Sequence, residues 1–173
     1  LPGNANDIQV GTFDELINST PRSGDTIEFT DDLESSSTIG NHFINLDINF
    51  EGHNYYINGD DQFGGFVLNQ DSRFHQVGIR NCQGQTYQDS KFAGAIFNSG
   101  GVTNIEESAF IGNFVDAESI NFGVAGAVYN LNGGTININR ALFESNYSNG
   151  ASSYGGGGGK FGKDSAGKNF SLT

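Results

Sequence analysis

"GGVTNIEESAFIGNF" (Gly100–Phe114) and "GGTININRALFESNY" (Gly133–Tyr147) decide the fold, because the second repeats the first 33 residues later without a gap. Gly100/Gly133, Gly101/Gly134, Asn104/Asn137, Ile105/Ile138, Phe110/Phe143 and Asn113/Asn146 are identical pairs. Each copy follows a second shared phrase, "AGAIFN" (Ala93–Asn98) and "AGAVYN" (Ala125–Asn130). Catalytic sites are seldom duplicated in this way, whereas stacking units are. A period of this length holding several very short strands is what a coiling β-repeat requires. One coil cannot bury its apolar face alone; stacked coils pair their backbones and bury one continuous core. Ile105, Ile138, Phe110 and Phe143 are then core residues, each contributing about 1.5–3 kcal/mol on full burial. The glycine pairs suit sharp corners that need φ > 0 or close backbone approach. The Asn of each F-x-x-N suits an inward corner, its amide bonding turn backbone in its own coil and the next.

Working outward, "GKNFSLT" (Gly167–Thr173) opens a third copy, with Phe170 and Leu172 falling on the Ile136 and Ile138 positions. It stops in mid-copy, as a fragment of something longer would. Upstream, "TIEF", "FINLDINFEG", "YYING", "GGFVLN" and "QVGIRN" are short β segments punctuated by Gly, Asn and Asp. "GTFDELINS" (Gly11–Ser19) is the one helix: Thr12 caps it, Glu15 answers three residues later, and Phe13, Leu16 and Ile17 form its apolar face. Such a helix serves as the terminal cover that a repeat array needs. The expected organisation is a single domain over 1–173. A cap and lead-in occupy 1–30, irregular coils 31–92, two F-x-x-N coils 93–151, and a Gly-rich segment with an incomplete coil 152–173. "VDAESINF" (Val115–Phe122) is expected to bulge out as a loop.

Composition agrees. The 173 residues include 26 Gly and 15 Phe but only 2 Pro and no Met or Trp, which favours an all-β chain rich in turns. A net charge of −12 leaves no basic stripe for phosphate, so no nucleic-acid partner is expected. The single Cys82 excludes an internal disulfide framework, and no apolar run is long enough for a membrane-spanning helix. "LPGNAND" reads equally as a mature N-terminus left by signal cleavage or as an arbitrary boundary within a longer chain.

"AGAI" and "AGAV", each followed by an F-x-x-N ("FIGN", "FESN"), resemble the GGA(I/L/V) and FxxN repeats of the polymorphic membrane proteins, chlamydial autotransporter adhesins. Ala stands where the first Gly is usual in both copies, and one cysteine is fewer than that family carries. "TFDELINSTPRSGDTIEF" and "INLDINFEGHNYYING" resemble the start of many right-handed β-helix passengers of bacteria. The resemblance implies a right-handed parallel β-helix with a short N-terminal capping helix. It also implies an adhesin passenger, secreted or displayed at the bacterial outer membrane, active in cell adhesion and virulence. Its partners would be a host-cell receptor or surface glycan, with self-association possible and membrane attachment only through a C-terminal region beyond Thr173. Carried over by position, the adhesive motif residues are Gly94, Ala95, Ile96, Phe110, Asn113, Gly126, Ala127, Val128, Phe143 and Asn146. The residues themselves argue that most of these face the core.

The other class to weigh is a secreted polysaccharide lyase or hydrolase, chemistry that the same fold hosts. Its best candidates are Asp60 and Asp61 with His53 in "EGHNYYINGDDQF", where Tyr55 and Tyr56 could stack on sugar. Adjacent strand residues point to opposite faces, so the two carboxylates cooperate only in a bend. A polar turn is the simpler account. A lyase would draw acids and a base from Asp47, Asp60, Asp71, Arg73, Arg80 and Lys91, which stacking could assemble. His42 and His75 lack ligand partners at metal-binding spacing, and no cofactor or metal motif is present. Cys82 is expected in the core, at a place like Ala109 or Phe110. The sequons at Asn18, Asn146 and Asn169 bear on glycosylation only. "SSYGGGGGKFGKDSAGK" (Ser152–Lys168) stands where a third A-G-A-V-Y belongs, with Gly157–Gly159, Lys160 and Phe161 as a degenerate copy.

Overall fold

The computed structural model describes residues 5–36, 40–84, 91–116 and 123–148, with the strands Phe161–Gly162 and Ser171–Leu172. The Gly-rich 152–160, residues 117–122 of the expected loop, Phe170 and Asn169 lie outside them. The fold is all-β, built from parallel sheets, with one helix among the described residues. In the first sheet Asp7–Val10, Thr26–Phe29, Ile48–Glu51, Ser72–His75, Val102–Glu106, Thr135–Asn139 and Ser171–Leu172 lie side by side in that order. The second sheet runs Leu33–Glu34, Tyr56–Asn58, Gly78–Arg80, Ala109–Ile111, Leu142–Glu144. The third runs His42–Ile44, Phe66–Leu68, Ile96–Asn98, Val128–Asn130, Phe161–Gly162. The chain therefore visits the sheets in rotation and lays each pass parallel on the one before.

Register fixes which residues stack. Ile105 pairs with Ile138 and Phe110 with Phe143, the shift of 33 read from the sequence. Ile96 pairs with Val128, a shift of 32, because the Leu131–Gly134 turn holds one residue more than its counterpart. Leu172 does fall opposite Ile138. Phe161 pairs with Val128, one residue away from the expected alignment, which had put Lys160 there. Earlier passes are shorter: Asp7 pairs with Thr26 and Ile48 with Ser72. The longer passes add two small ladders, Lys91–Ala93 with Gly123–Ala125 and Phe114–Val115 with Tyr147–Ser148.

Several expected boundaries move. "VTNIEESAF" and "TININRALF" each divide into two strands, because Glu107 (φ 49°) and Arg140 (φ 52°) turn the chain left-handedly between them. Gln76 (φ 52°) makes the same corner one pass earlier, and Asn81, Gly112 and Ser145 make the next one (φ 52°, 64°, 55°). Ser72–His75 is a strand, although it lacks a flanking Gly or Pro signal. Val115 is no loop residue; it is fully buried and pairs with Ser148.

The core is a set of columns. Ile27, Phe50, Phe74, Ile105 and Ile138 line the first sheet's inner face, all within 2 % of full burial. Leu33, Ile57, Ile79, Phe110 and Phe143 line the second. Phe50 stacks on Phe74 at 4.7 Å and Phe110 on Phe143 at 4.9 Å, with planes 18° and 9° apart. The helix Phe13–Asn18 adds Phe13, edge-on to Phe63 at 5.1 Å, and Leu16 to this core. Thr12 Oγ1 accepts the Glu15 amide at 3.2 Å, while the Glu15 carboxylate reaches the Gly11 amide at 2.6 Å, one residue before the cap.

Candidate functional site

The motif residues of the resemblance are placed first. Ala95, Ile96, Phe110, Asn113, Ala127, Val128, Phe143 and Asn146 are all buried, as are Gly94 and Gly126. The glycines stand where backbones touch: a Cβ on Gly94 would lie 2.1 Å from the Gly126 carbonyl oxygen and 2.7 Å from the Phe114 amide. Asn113 Oδ1 accepts the Cys82 amide at 3.1 Å, and its Nδ2 donates to the Ile79 carbonyl at 2.9 Å. Asn146 repeats this one pass later, accepting the Asn113 amide at 3.0 Å and donating to Phe110 O at 2.8 Å. Both side-chain amides therefore bond backbone of the preceding pass, where backbone of their own coil and the next was expected; Asn113 Nδ2 meets the following pass only through Asn146 Oδ1, at 3.0 Å. Cys82 fills this same asparagine position, with Ile79 in the place of Phe110, rather than standing at Ala109 or Phe110 itself. It is fully buried, and burial pushes its thiol far above the ordinary range. A second amide column went unread although "IFN" and "VYN" repeat it: Asn98 donates to Asn130 Oδ1 at 2.8 Å inside the next corner.

The enzyme candidates are placed next. Asp60 and Asp61 are exposed central residues of a tight turn, φ 47° and 55°, closed by the Gln62 amide on the Gly59 carbonyl at 2.8 Å. His53 lies in a separate turn of the same kind with Asn54 (φ 49°, 68°), at the other end of the strand Tyr56–Asn58. Three strand residues span about 10 Å, so the two turns do not form one site. Asp60 Oδ2 accepts from Gln62 at 3.1 Å, and His53 Nδ1 lies 3.9 Å from Glu51. Tyr55 packs partly against the core; Tyr56 lies under the Arg80 guanidinium, 5.0 Å from its ring centre. No group of three or more metal-ligating side chains forms among the described residues.

Stacking does bring other charged groups together. At the corner after the first sheet, His75 Nδ1 contacts Glu51 at 2.6 Å, and Glu107 holds Gln76 at 3.1 Å and pairs with Arg140. The Gln76 hydrogen bond and then the Arg140 charge hold the Glu107 carboxyl below its ordinary range. On the outer face of the first sheet, Asp47, Asn49, Asp71, Arg73 and Asn104 line a shallow groove of about 210 Å³. The lyase set of acids and bases is thus assembled only in part: Asp47, Asp71 and Arg73 meet, whereas Asp60 stands apart and Arg80 reaches Glu34 at 3.5 Å. The Lys91 side chain lies outside the described residues. His42 lines a larger apolar hollow of about 260 Å³ beside the helix, where burial holds its imidazole below the usual value. No family model, no characterised protein and no solved structure matches the chain.

Proposed function

We propose that this chain is a right-handed parallel β-helix with a helical cap, and that it is an adhesin passenger of the polymorphic-membrane-protein kind. It would be secreted or held at a bacterial outer membrane through a further C-terminal region, presenting surface to a host-cell receptor or glycan. The observation that carries the reading is that every motif residue is committed to stacking. The repeats build a rod, and recognition falls to its outer faces and connecting loops. Passes of unequal length on constant core columns support it, since a pass can gain residues outside the three main sheets without disturbing the core.

The purified chain, coupled to beads, should attach to cultured epithelial cells or to bacteria, and free chain should compete. Absence of attachment to both would overturn the adhesin reading. One observation favours the second reading, a polysaccharide lyase or hydrolase: Asp47, Asp71 and Arg73 share a groove. Cleavage of acidic or neutral polysaccharide, unaffected by Asp60→Asn but abolished by Asp71→Asn in folded protein, would establish it in place of adhesion.

A further inference from the structure

The groove on the first sheet is built from three successive passes: Asp47 and Asn49, then Asp71 and Arg73, then Asn104. Neighbouring passes in a parallel sheet lie about 4.8 Å apart, so these side chains form a regular grid of polar groups. Asn49, Arg73 and Asn104 are half-buried and held by ladder register, while Asp47 and Asp71 stand exposed at the groove's edge. Much of their hydrogen-bonding capacity is unfilled. Asp47 Oδ1 accepts the Asp71 amide at 3.2 Å, and Asp71 Oδ1 accepts the Val102 amide at 2.8 Å, which leaves one oxygen of each without a partner among the described residues. The Asn49 amide has no side-chain hydrogen bond there. Asn104 only accepts, from Asn137 at 2.9 Å, and its own N–H donors are open. Arg73 differs, because both its Nε and Nη2 are bound to Glu106, at 3.2 and 2.7 Å.

That pattern selects a ligand. Two carboxylates ask for O–H donors, and two amides both donate and accept, which is the chemistry of vicinal hydroxyls. An anionic ligand would face Asp47, Asp71 and a net charge of −12, with the one arginine of the groove already neutralised by Glu106. We infer that this groove binds a neutral, linear saccharide lying across the passes. The inference rests on the binding reading above and locates that binding on a sheet face.

Isothermal titration of the whole chain with cellohexaose, β-1,4-mannohexaose and maltohexaose, and with hexagalacturonate as the anionic comparator, tests it. At least one neutral hexamer should bind with Kd below about 1 mM. Asn49→Ala should weaken it roughly tenfold with Tm unchanged, since the side-chain amide bonds nothing among the described residues. Asn49→Tyr, which fills the groove, should abolish binding, and Asp60→Asn should leave it intact. Failure of all three neutral hexamers, equal or tighter binding of the galacturonate, or binding indifferent to Asn49→Ala and Asn49→Tyr would each overturn the inference. If cell attachment persists in the Asn49 variants, adhesion stands and the groove is not its site. If a neutral hexamer binds in the groove but no cells attach, the groove stands and the adhesin reading falls.

Discussion

Asn113 shows what one side chain does in this molecule. Fully buried, it makes hydrogen bonds to the Cys82 amide, the Ile79 carbonyl and the Asn146 amide oxygen. Cutting it to alanine strands buried backbone groups that water cannot reach. We expect Asn113→Ala to cost about 3 kcal/mol in urea unfolding, with each orphaned group contributing about 1–3 kcal/mol before relaxation. Asn104→Ala, half-buried on the outer face, should cost about 0.5 kcal/mol or less. Equal costs would mean that the inward amides are not what ties the passes together. The F-x-x-N spacing made these asparagines legible, because an amide recurring at one place in every repeat points to a repeated backbone need. Cys82 at the same position was not legible as such, since the pass that carries it has neither the Phe nor the Asn.

At the scale of the element, the helix Phe13–Asn18 is only six residues long and could not persist alone in water. It is held by Phe13 and Leu16 in the core and by Thr12 at its start, whose β-region backbone (φ −136°, ψ 159°) frees the hydroxyl to accept from Glu15. Thr12→Ala should therefore lower global stability by about 1 kcal/mol, and Thr12→Ser by much less, as read from thermal or urea midpoints. An unchanged midpoint in Thr12→Ala would show the core contacts suffice. The helix, its cap and its apolar face were all legible in "GTFDELINS". The corners were not. Gln76, Glu107 and Arg140 adopt a left-handed φ that non-glycine residues avoid at a cost of about 1 kcal/mol or more, and their sequence gives no sign of it. Strand pairing on both sides of each corner outweighs that cost, so the bend is a property of the stack.

Across the whole molecule, three groups on different passes respond to acid with one sign. Asp25 is buried and accepts the Arg22 amide at 2.7 Å and the Asn6 amide at 2.8 Å; these bonds hold its carboxyl below the usual range. Glu107 is held down by Gln76 and Arg140, and His42 by burial. In each case the unfolded chain takes up the proton more readily than the folded one. The stability they contribute is therefore present at higher pH and lost as pH falls. Urea midpoints should start to decline as pH drops below about 6.5, where unfolded His42 gains its proton, and decline further below about 4.5 as the carboxylates do. Asp25→Asn should flatten the acid limb and His42→Phe the earlier one. A midpoint that rises on acidification from pH 7 to 5 would contradict the His42 assignment, and an acid limb unchanged by Asp25→Asn would contradict that of Asp25.

The sequence by itself determined the all-β class, the shift of 33 between copies, the core pairs Ile105/Ile138 and Phe110/Phe143, and the helix whose Phe13 and Leu16 join that core. These follow from local chemistry: apolar residues at fixed repeat positions must stack, and glycine, asparagine and capping threonine each meet a backbone need within a few residues. Only the tertiary structure decided the non-glycine corners, the place of Cys82, the separation of Asp60 from His53, and the meeting of Asp47, Asn49, Asp71, Arg73 and Asn104. Those depend on how many residues each pass holds, which sets what lies opposite what. Register between passes is settled by the packed core as a whole and is written in no single stretch of the chain.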